Sequence, residues 1–437
     1  MPWFAEKSDR IGPRRLEELM RQTVEKARRR ICARPRRVLL LPPDITRAHS
    51  GAGRLTEILY NLLADQAEVH VIPTLGQHVP HTAEENRRMF GAIPEEKIHP
   101  HDWRGGCVRL GEIPAEFVRE VSRGAADWAI PVVVNRTLIE GPWDLVVNVG
   151  HVVPHEVLGF ANHNKNYFIG LAGKEMICAA HMAAACYGIE NNLGTLITPL
   201  RACFNKAEED YLGDLPDLYV QIVMARNAQG ELVQTGLYVG DDLETYLEAA
   251  RQSLKQNITV LDEPLRKVVC VMQGDEFFST WVANKAIYRT RMALADGGEL
   301  VVIAPGLKRF GEQPEVDRLI RKYGYVGTPK VMEYFRSDPA LQDLAHAAAH
   351  LVHGSSEGRF SITYAPGHLS REEIEGVNFQ YADLAENLAK YPPDRLKEGF
   401  NDLPNGERIF FIPTPSAGLW ATREKLFSRA AGFEGEP

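Results

Sequence analysis

The stretch VLLLPPDITRAHSGAGRL, residues 38–55, carries the pattern that decides the fold. Its first four residues are apolar and stand before two prolines, which predicts a short buried strand. Residues 42–53 are rich in proline, glycine and small polar side chains, which predicts a loop. Residues 55–64 then carry apolar side chains at helical spacing. A strand, a loop and a helix in this order predict the opening of an α/β unit.

The same alternation continues along the first half of the chain. Residues 69–74 and 143–149 predict two further buried strands. Residues 82–90 predict a helix, because Thr82 can cap it and Glu85 stands three residues later. This order predicts a parallel sheet covered by helices. Ligands bind such sheets beyond the carboxyl ends of the strands.

The later pattern predicts a second α/β domain. A hairpin that turns at residues 227–230 and a helix over residues 243–255 close the first domain, which we place at residues 1–262. Residues 257–265 predict a linker, and the second domain is expected over residues 266–437, with its last residues packed back on the first. Its predicted elements are strands at 268–272, 300–304 and 360–364 and helices at 282–294 and 338–352.

Composition and charge exclude several classes of protein. The chain has 437 residues, 44% hydrophobic and 25% charged, so two globular domains with large cores are expected. The net charge of -8 argues against nucleic-acid binding, whereas small anions remain possible ligands. No apolar run reaches the roughly 18 residues of a membrane span, and the N-terminal residues lack a secretory signal's apolar core. The six cysteines include no CxxC pair, which favours a cytoplasmic protein with reduced thiols.

The loop after the first strand is a candidate anion site. Asp44, Thr46 and Arg47 lie between the predicted strand and helix, with glycines behind them. Such a loop presents backbone N–H groups, a hydroxyl and a guanidinium to a phosphate or carboxylate. A plain turn with a capping side chain and a surface arginine explains the same residues equally well, since the segment is neither a Walker loop nor GxGxxG.

Histidines follow the next two predicted strands. His78 follows one, and a polar segment over residues 150–181 follows the other. Within it His151 and His155 have the spacing of zinc ligands on a helix, but Pro154 argues against a continuous helix there. Single loop histidines are commonly structural. Taken together, the loops predict acid/base chemistry on a small anionic substrate.

Four blocks of the chain share residues at fixed spacing with one known family: Asp44-Ile45-Thr46-Arg47, Gly76-Gln77-His78, Pro154-His155 with Gly159-Phe160, Lys165 and His181, and Lys285-Ala286. The third is the most specific, because Lys165 and His181 follow His155 by ten and 26 residues. The blocks resemble the nickel-pincer-nucleotide-dependent lactate racemases and their 2-hydroxyacid racemase and epimerase relatives. The resemblance implies two α/β domains with an active-site cleft between them.

The resemblance also implies a cofactor site. Lys165 matches the lysine that carries a nickel-pincer nucleotide, Ni(II) pyridinium-3-thioamide-5-thiocarboxylic acid mononucleotide, through a thioamide link. His181 matches the nickel ligand, and Asp44, Thr46 and Arg47 are expected to bind the cofactor. One imidazole beside soft sulfur ligands suits square-planar nickel better than tetrahedral zinc. The enzymes that make the cofactor are expected partners.

By the same resemblance, His78 and His155 are the paired acid/base groups, and Arg47, Lys285 and Trp281 bind substrate. The implied activity is isomerisation of a small anionic 2-hydroxy acid by reversible hydride transfer, which avoids a carbanion at a non-activated carbon. Inversion needs one base on each face of the planar 2-keto intermediate.

Some residues depart from the family pattern. Asn162-His163-Asn164 stands where lactate racemases often carry Ser-Gly-Gly before the lysine, and Trp281-Val282 stands where they carry Tyr-Gln. The tryptophan predicts a substrate side chain larger or more apolar than that of lactate. Two other functions remain open at this point: a metal-dependent hydrolase or lyase that uses the same histidines, and a non-catalytic relative that binds a ligand.

Overall fold

A computed structural model describes residues 1–227, 229–274 and 277–427. It divides into two compact units, one of Met1–Ala183 with Asn192–Asn257 and one of Ala184–Asn191 with the chain from Ile258 onward. Residue 228 of the expected hairpin turn and residues 428–437, which were expected to pack back on the first domain, lie outside the described residues.

The first unit is built on a six-stranded sheet in the order β1-β10-β9-β6-β2-β3. The four strands from β9 to β3 run parallel. β10 pairs antiparallel with β9, and β1 pairs antiparallel with β10. The strands up to residue 240 are β1 (Phe4–Lys7), β2 (Arg37–Leu41), β3 (Glu68–Val71), β4 (Cys107–Ile113), β5 (Ile130–Asn135), β6 (Leu145–His151), β7 (Pro154–His155), β8 (Gly159–Phe160), β9 (Asp217–Arg226) and β10 (Leu232–Gly240).

Helices α1 to α3 cover one face of this sheet. Leu145, Val147 and Val149 alternate along β6 and enter a hydrophobic core with apolar residues of these helices. The helices up to residue 257 are α1 (Pro13–Arg30), α2 (Ala52–Leu63), α3 (Ala83–Phe90), α4 (Ala115–Val121), α5 (Arg136–Glu140), α6 (Lys174–Tyr187), α7 (Ile189–Asn192), α8 (Pro199–Leu212) and α9 (Leu243–Asn257), with 3-10 turns at Ile45–Ser50 and Glu95–Lys97 and a π turn at Asn166–Gly170.

The second unit has its own six-stranded sheet, in the order β15-β14-β13-β12-β17-β16. Only the edge pair β16 and β17 is antiparallel. Its strands are β11 (Ile258–Leu261), β12 (Leu265–Val271), β13 (Leu294–Ala304), β14 (Phe360–Pro366), β15 (Gln380–Tyr381), β16 (Gly399–Asp402), β17 (Arg408–Ile412) and β18 (Leu419–Thr422). The expected α/β class with parallel-type sheets is thereby confirmed.

The helices of the second unit are shorter than the sequence predicts. They are α10 (Thr280–Ala283), α11 (Lys285–Thr290), α12 (Pro314–Tyr323), α13 (Thr328–Ser337), α14 (Pro339–Asp343), α15 (Ala345–Gly354), α16 (Arg371–Gly376), α17 (Leu384–Lys390) and α18 (Arg423–Phe427), with a 3-10 turn at Pro415–Ala417. Within the described ranges, none of the helices combines the length and apolar character needed to cross a membrane.

Three expectations are wrong in detail. The predicted linker contains β11, whose partner β18 is remote in sequence and gives no local signal. The helix predicted at 282–294 breaks at Asn284, where ψ is −4°, and stops before Leu294 starts β13. The helix predicted at 338–352 breaks at Leu344, whose φ of −111° and ψ of 50° are not helical.

Candidate functional site

The loops with the predicted site residues meet at one edge of the first sheet. Strands β6, β2 and β3 are parallel neighbours, so their carboxyl ends lie together. A bridge between Pro43 and Thr74 continues the pairing of β2 and β3 into their loops. The backbone N–H of Gly76 donates to the carbonyl of Gly170, which ties the His78 loop to the segment after Lys165.

Asp44 and His78 form a hydrogen-bonded pair at this edge. Asp44 is buried, and its carboxylate accepts hydrogen bonds from Nδ1 of His78 and from the backbone and hydroxyl of Thr46. Burial raises the pKa of Asp44, but the bond to His78, with further help from Thr46 and Arg47, lowers it overall to about 2. Asp44 is therefore ionised at neutral pH and directs the other ring nitrogen, Nε2, of the exposed His78 outward.

Lys165 is a partly buried amine whose charge is disfavoured. Burial lowers its pKa to about 8, and Arg47 acts in the same direction, against the opposing carboxylates of Asp44 and Glu156. A lysine with a pKa this low carries an appreciable fraction of neutral amine near neutral pH, which is the nucleophilic form.

One ring nitrogen of His181 is hydrogen-bonded, and the other has no hydrogen bond within the described part of the chain. Its Nδ1 donates to the backbone oxygen of Ile177 at 2.8 Å, one turn earlier on α6. Burial lowers the pKa of His181; the hydrogen bond to Ile177 opposes this, and the charge of Lys165 adds to it. The neutral ring therefore presents the lone pair of Nε2, the form in which histidine binds metals. Among the described residues, no group of three or more His, Cys, Asp or Glu is arranged to hold a metal ion.

His155 lies on the short strand β7. Its Nδ1 accepts the backbone N–H of Val157 at 3.2 Å, so in the neutral ring the proton is on Nε2. β7 pairs with β8, where Gly159 has a φ of 73° and a Cβ atom would lie 1.9 Å from the carbonyl oxygen of Thr195. Only glycine fits there, which explains the Gly-Phe of the sequence block.

The residues before Lys165 keep a left-handed backbone without glycine. Asn162 and His163 have φ values of 68° and 60°. The side chain of Asn162 donates to Gln221 at 2.6 Å and accepts from Asn166 at 2.7 Å. Asparagine tolerates this conformation better than most residues. The departure from Ser-Gly-Gly is thus accommodated by side-chain hydrogen bonds.

Arg201, on α8, holds the same segment and was not predicted from the sequence. Its guanidinium is fully buried and donates to the backbone oxygens of Phe160 and Asn162 and to the side chain of Asn164. In the sequence, Arg201 is a single arginine among apolar residues at the start of α8. That pattern by itself predicts a surface residue. Its role becomes visible only when α8 packs against the loop.

Trp281 and Lys285, two of the predicted substrate-binding residues, belong to the second unit, where the Trp281 ring centroid lies 4.5 Å from that of His350. Two other histidines of the first unit have structural contacts. His81 accepts the backbone N–H of Ile45, and His163 stacks on a tyrosine ring.

The backbone conformation of Asn162 generates a first prediction. Replacing Asn162 by Ala or by Gly removes the same side-chain hydrogen bonds, but only Gly adopts a φ of 68° without strain. We expect Asn162→Gly to be more stable than Asn162→Ala by about 1 kcal/mol. Thermal unfolding of the two variants measures this difference, and an Asn162→Ala protein at least as stable as the glycine variant would contradict it.

The pKa of Lys165 generates a second prediction. Trace acetylation followed by peptide mass spectrometry should show Lys165 becoming reactive with a midpoint near pH 8, since its pKa is about 8. Lys330 is a control, because Glu333 raises its pKa and delays labelling to higher pH. Arg47→Gln removes a neighbouring positive charge and should move the Lys165 midpoint upward. Identical profiles for the two lysines would refute the assignment.

Comparison with known proteins agrees with these blocks. Residues 12–192 match the family model of the lactate racemase N-terminal domain. A crystal structure of a protein from Thermotoga maritima is 25% identical, with a TM-score of 0.78, and the match covers 95% of this chain and 100% of that one. The lactate racemase apoprotein from Thermoanaerobacterium thermosaccharolyticum is 16% identical, with a TM-score of 0.68 and coverage of 93% and 92%. No curated protein sequence matches. The predicted resemblance to the lactate racemase family is therefore confirmed, by the family model over residues 12–192 and as a shared fold over most of the chain.

Proposed function

We propose that this protein is a cytoplasmic racemase or epimerase of a 2-hydroxy acid that uses a nickel-pincer nucleotide bound through Lys165. The observation that carries the proposal is the chemistry of one cluster in the first unit. It combines an amine with a lowered pKa at Lys165, an available imidazole nitrogen at His181, and the ionised Asp44 bound to His78.

The residues present fit this cofactor. Lys165 would form the covalent link, Nε2 of His181 would ligate nickel, and Asp44, Thr46 and Arg47 would line the site. A single histidine ligand suits a metal whose remaining ligands come from an organic group. When bound, the nickel-pincer nucleotide supplies an electrophilic carbon that accepts hydride from the substrate's Cα.

Two histidines would transfer the proton of the substrate hydroxyl group. Nε2 of His78 accepts it on one face, and the ionised Asp44 stabilises the resulting imidazolium through Nδ1. His155 would perform the same transfer on the opposite face. Its Nε2 can accept the proton only in the tautomer that is protonated on Nδ1 and has given up the hydrogen bond from Val157. Arg47 would bind the carboxylate, and Lys285 and Trp281 are proposed substrate-binding residues because the family resemblance implies that role. Trp281 favours a substrate side chain larger than that of lactate.

Mass spectrometry with nickel analysis tests the cofactor. Protein produced together with the cofactor-making enzymes should carry a nickel-linked organic adduct on the Lys165 peptide. Lys165→Ala should lack the adduct, whereas Lys174→Ala, nine residues along the same segment, should retain it. If a known racemase is loaded in the same host and Lys165 stays unmodified, the proposal fails and a ligand-binding relative becomes the better description.

The rate at which one enantiomer of the substrate is converted into the other tests whether His78 and His155 act as the two bases. In adduct-bearing protein, His78→Ala and His155→Ala should each lower the rate of inversion by about 10²-fold or more, because each removes a general base. His99→Ala, a histidine outside the cluster, serves as the control. Circular dichroism and adduct mass establish that each variant is folded and loaded. Substantial inversion by either base variant would contradict the two-base assignment.

A further inference from the structure

His151 is a buried histidine that this reaction does not use. It ends β6, is 8% exposed, and continues the face of Leu145, Val147 and Val149 beyond the core. Neither of its ring nitrogens has a hydrogen-bond partner among the described residues. Its ring meets the edge of His49, with centroids 6.2 Å apart. Buried polar groups in folded proteins are nearly always hydrogen-bonded, so two unpaired nitrogens on one ring indicate a missing partner.

Arg47 supplies a positive charge next to this ring. Its guanidinium is half-buried and forms no ion pair or hydrogen bond within the described part of the chain. The positive charge of Arg47 lowers the pKa values of His151, Lys165 and Asp44. The carboxylate of Asp44 is already engaged by His78 and Thr46. Among the described residues, the hydrogen-bonding capacity of Arg47 is therefore unused.

We propose that His151 and Arg47 together bind an oxyanion, with the imidazole donating one N–H and the guanidinium supplying the charge. This inference deepens the proposed function, because both the carboxylate of a 2-hydroxy acid and the phosphate of a nucleotide present such an oxyanion. His151 is then a residue that recognises the ligand, in addition to the two bases.

The surrounding charges favour an anion over other occupants. A cation would meet the positive charge of Arg47. Burial lowers the pKa of His151 well below its usual value, and Arg47 and His49 act in the same direction, so the ring is neutral. A neutral imidazole keeps one N–H donor and one acceptor. An oxyanion therefore matches both the donor of His151 and the forked donors of Arg47.

Nitrogen NMR of the histidine side chains tests the site in the full-length protein without cofactor. Glycolate, the smallest 2-hydroxy carboxylate, and inorganic phosphate are added separately to protein labelled with ¹⁵N-histidine, and the His151 signals are assigned by their loss in His151→Leu. A saturable shift with glycolate identifies the substrate carboxylate, and one with phosphate identifies the nucleotide phosphate. No shift with either probe means that water alone occupies the site, and the proposal is overturned.

Variants separate recognition from folding. His151→Leu should weaken binding of the effective probe at least about tenfold, because a hydrogen bond to a charged group is lost. His151→Gln keeps a donor and should bind within about threefold of the parent, while Arg47→Gln should abolish saturable binding. His101→Gln is the matched control: His101 is equally buried but bonds the backbone oxygen of Ala172. Unchanged binding in His151→Leu would refute the proposal.

These readouts do not require the nickel cofactor. An unmodified Lys165 with intact probe binding would refute the proposed function alone. A loaded Lys165 with no effect of either probe on His151 would refute this inference alone.

Discussion

The candidate site depends on the buried guanidinium of Arg201. Its Nη atoms hold the backbone at Phe160 and Asn162 and the side chain of Asn164, so the chain just before Lys165 is fixed at three points. A buried cation must be well hydrogen-bonded to be tolerated, and here the carbonyl groups of the loop provide most of those bonds. The same charge helps to lower the pKa of Lys165. One side chain thus shapes the loop and contributes to the chemistry of the amine.

The parallel part of the fold could be predicted because short, contiguous stretches of sequence carry its pattern. Each of β2, β3 and β6 is a short apolar run followed by polar loop residues, and parallel pairing brings those loops to one edge. This pattern alone predicts that Asp44, His78 and the segment after residue 149 lie at the same edge. It does not reveal β11, because the pairing with β18 depends on a strand far away in sequence.

The residues that support the site could not be predicted from sequence, because their roles also depend on contacts between distant segments. Arg201 and Gln221 matter only through contacts with the loop around Asn162, and neither stands in a motif. The left-handed backbone at Asn162 and His163 could not be predicted either. A glycine at these positions would have indicated it, but asparagine and histidine do not. The resemblance to known racemases predicts which groups react, but it does not predict the hydrogen bonds that hold them.

The two proposed bases differ in their access to water. His78 lies exposed, whereas His155 is buried on β7. Proton exchange with solvent is therefore easier on one face of the substrate than on the other. Enantiomers nevertheless have equal free energies, so the Haldane relation requires equal kcat/KM in the two directions. In a racemase built in this way, any change in kcat that the unequal exposure causes for one enantiomer must be matched by a compensating change in KM.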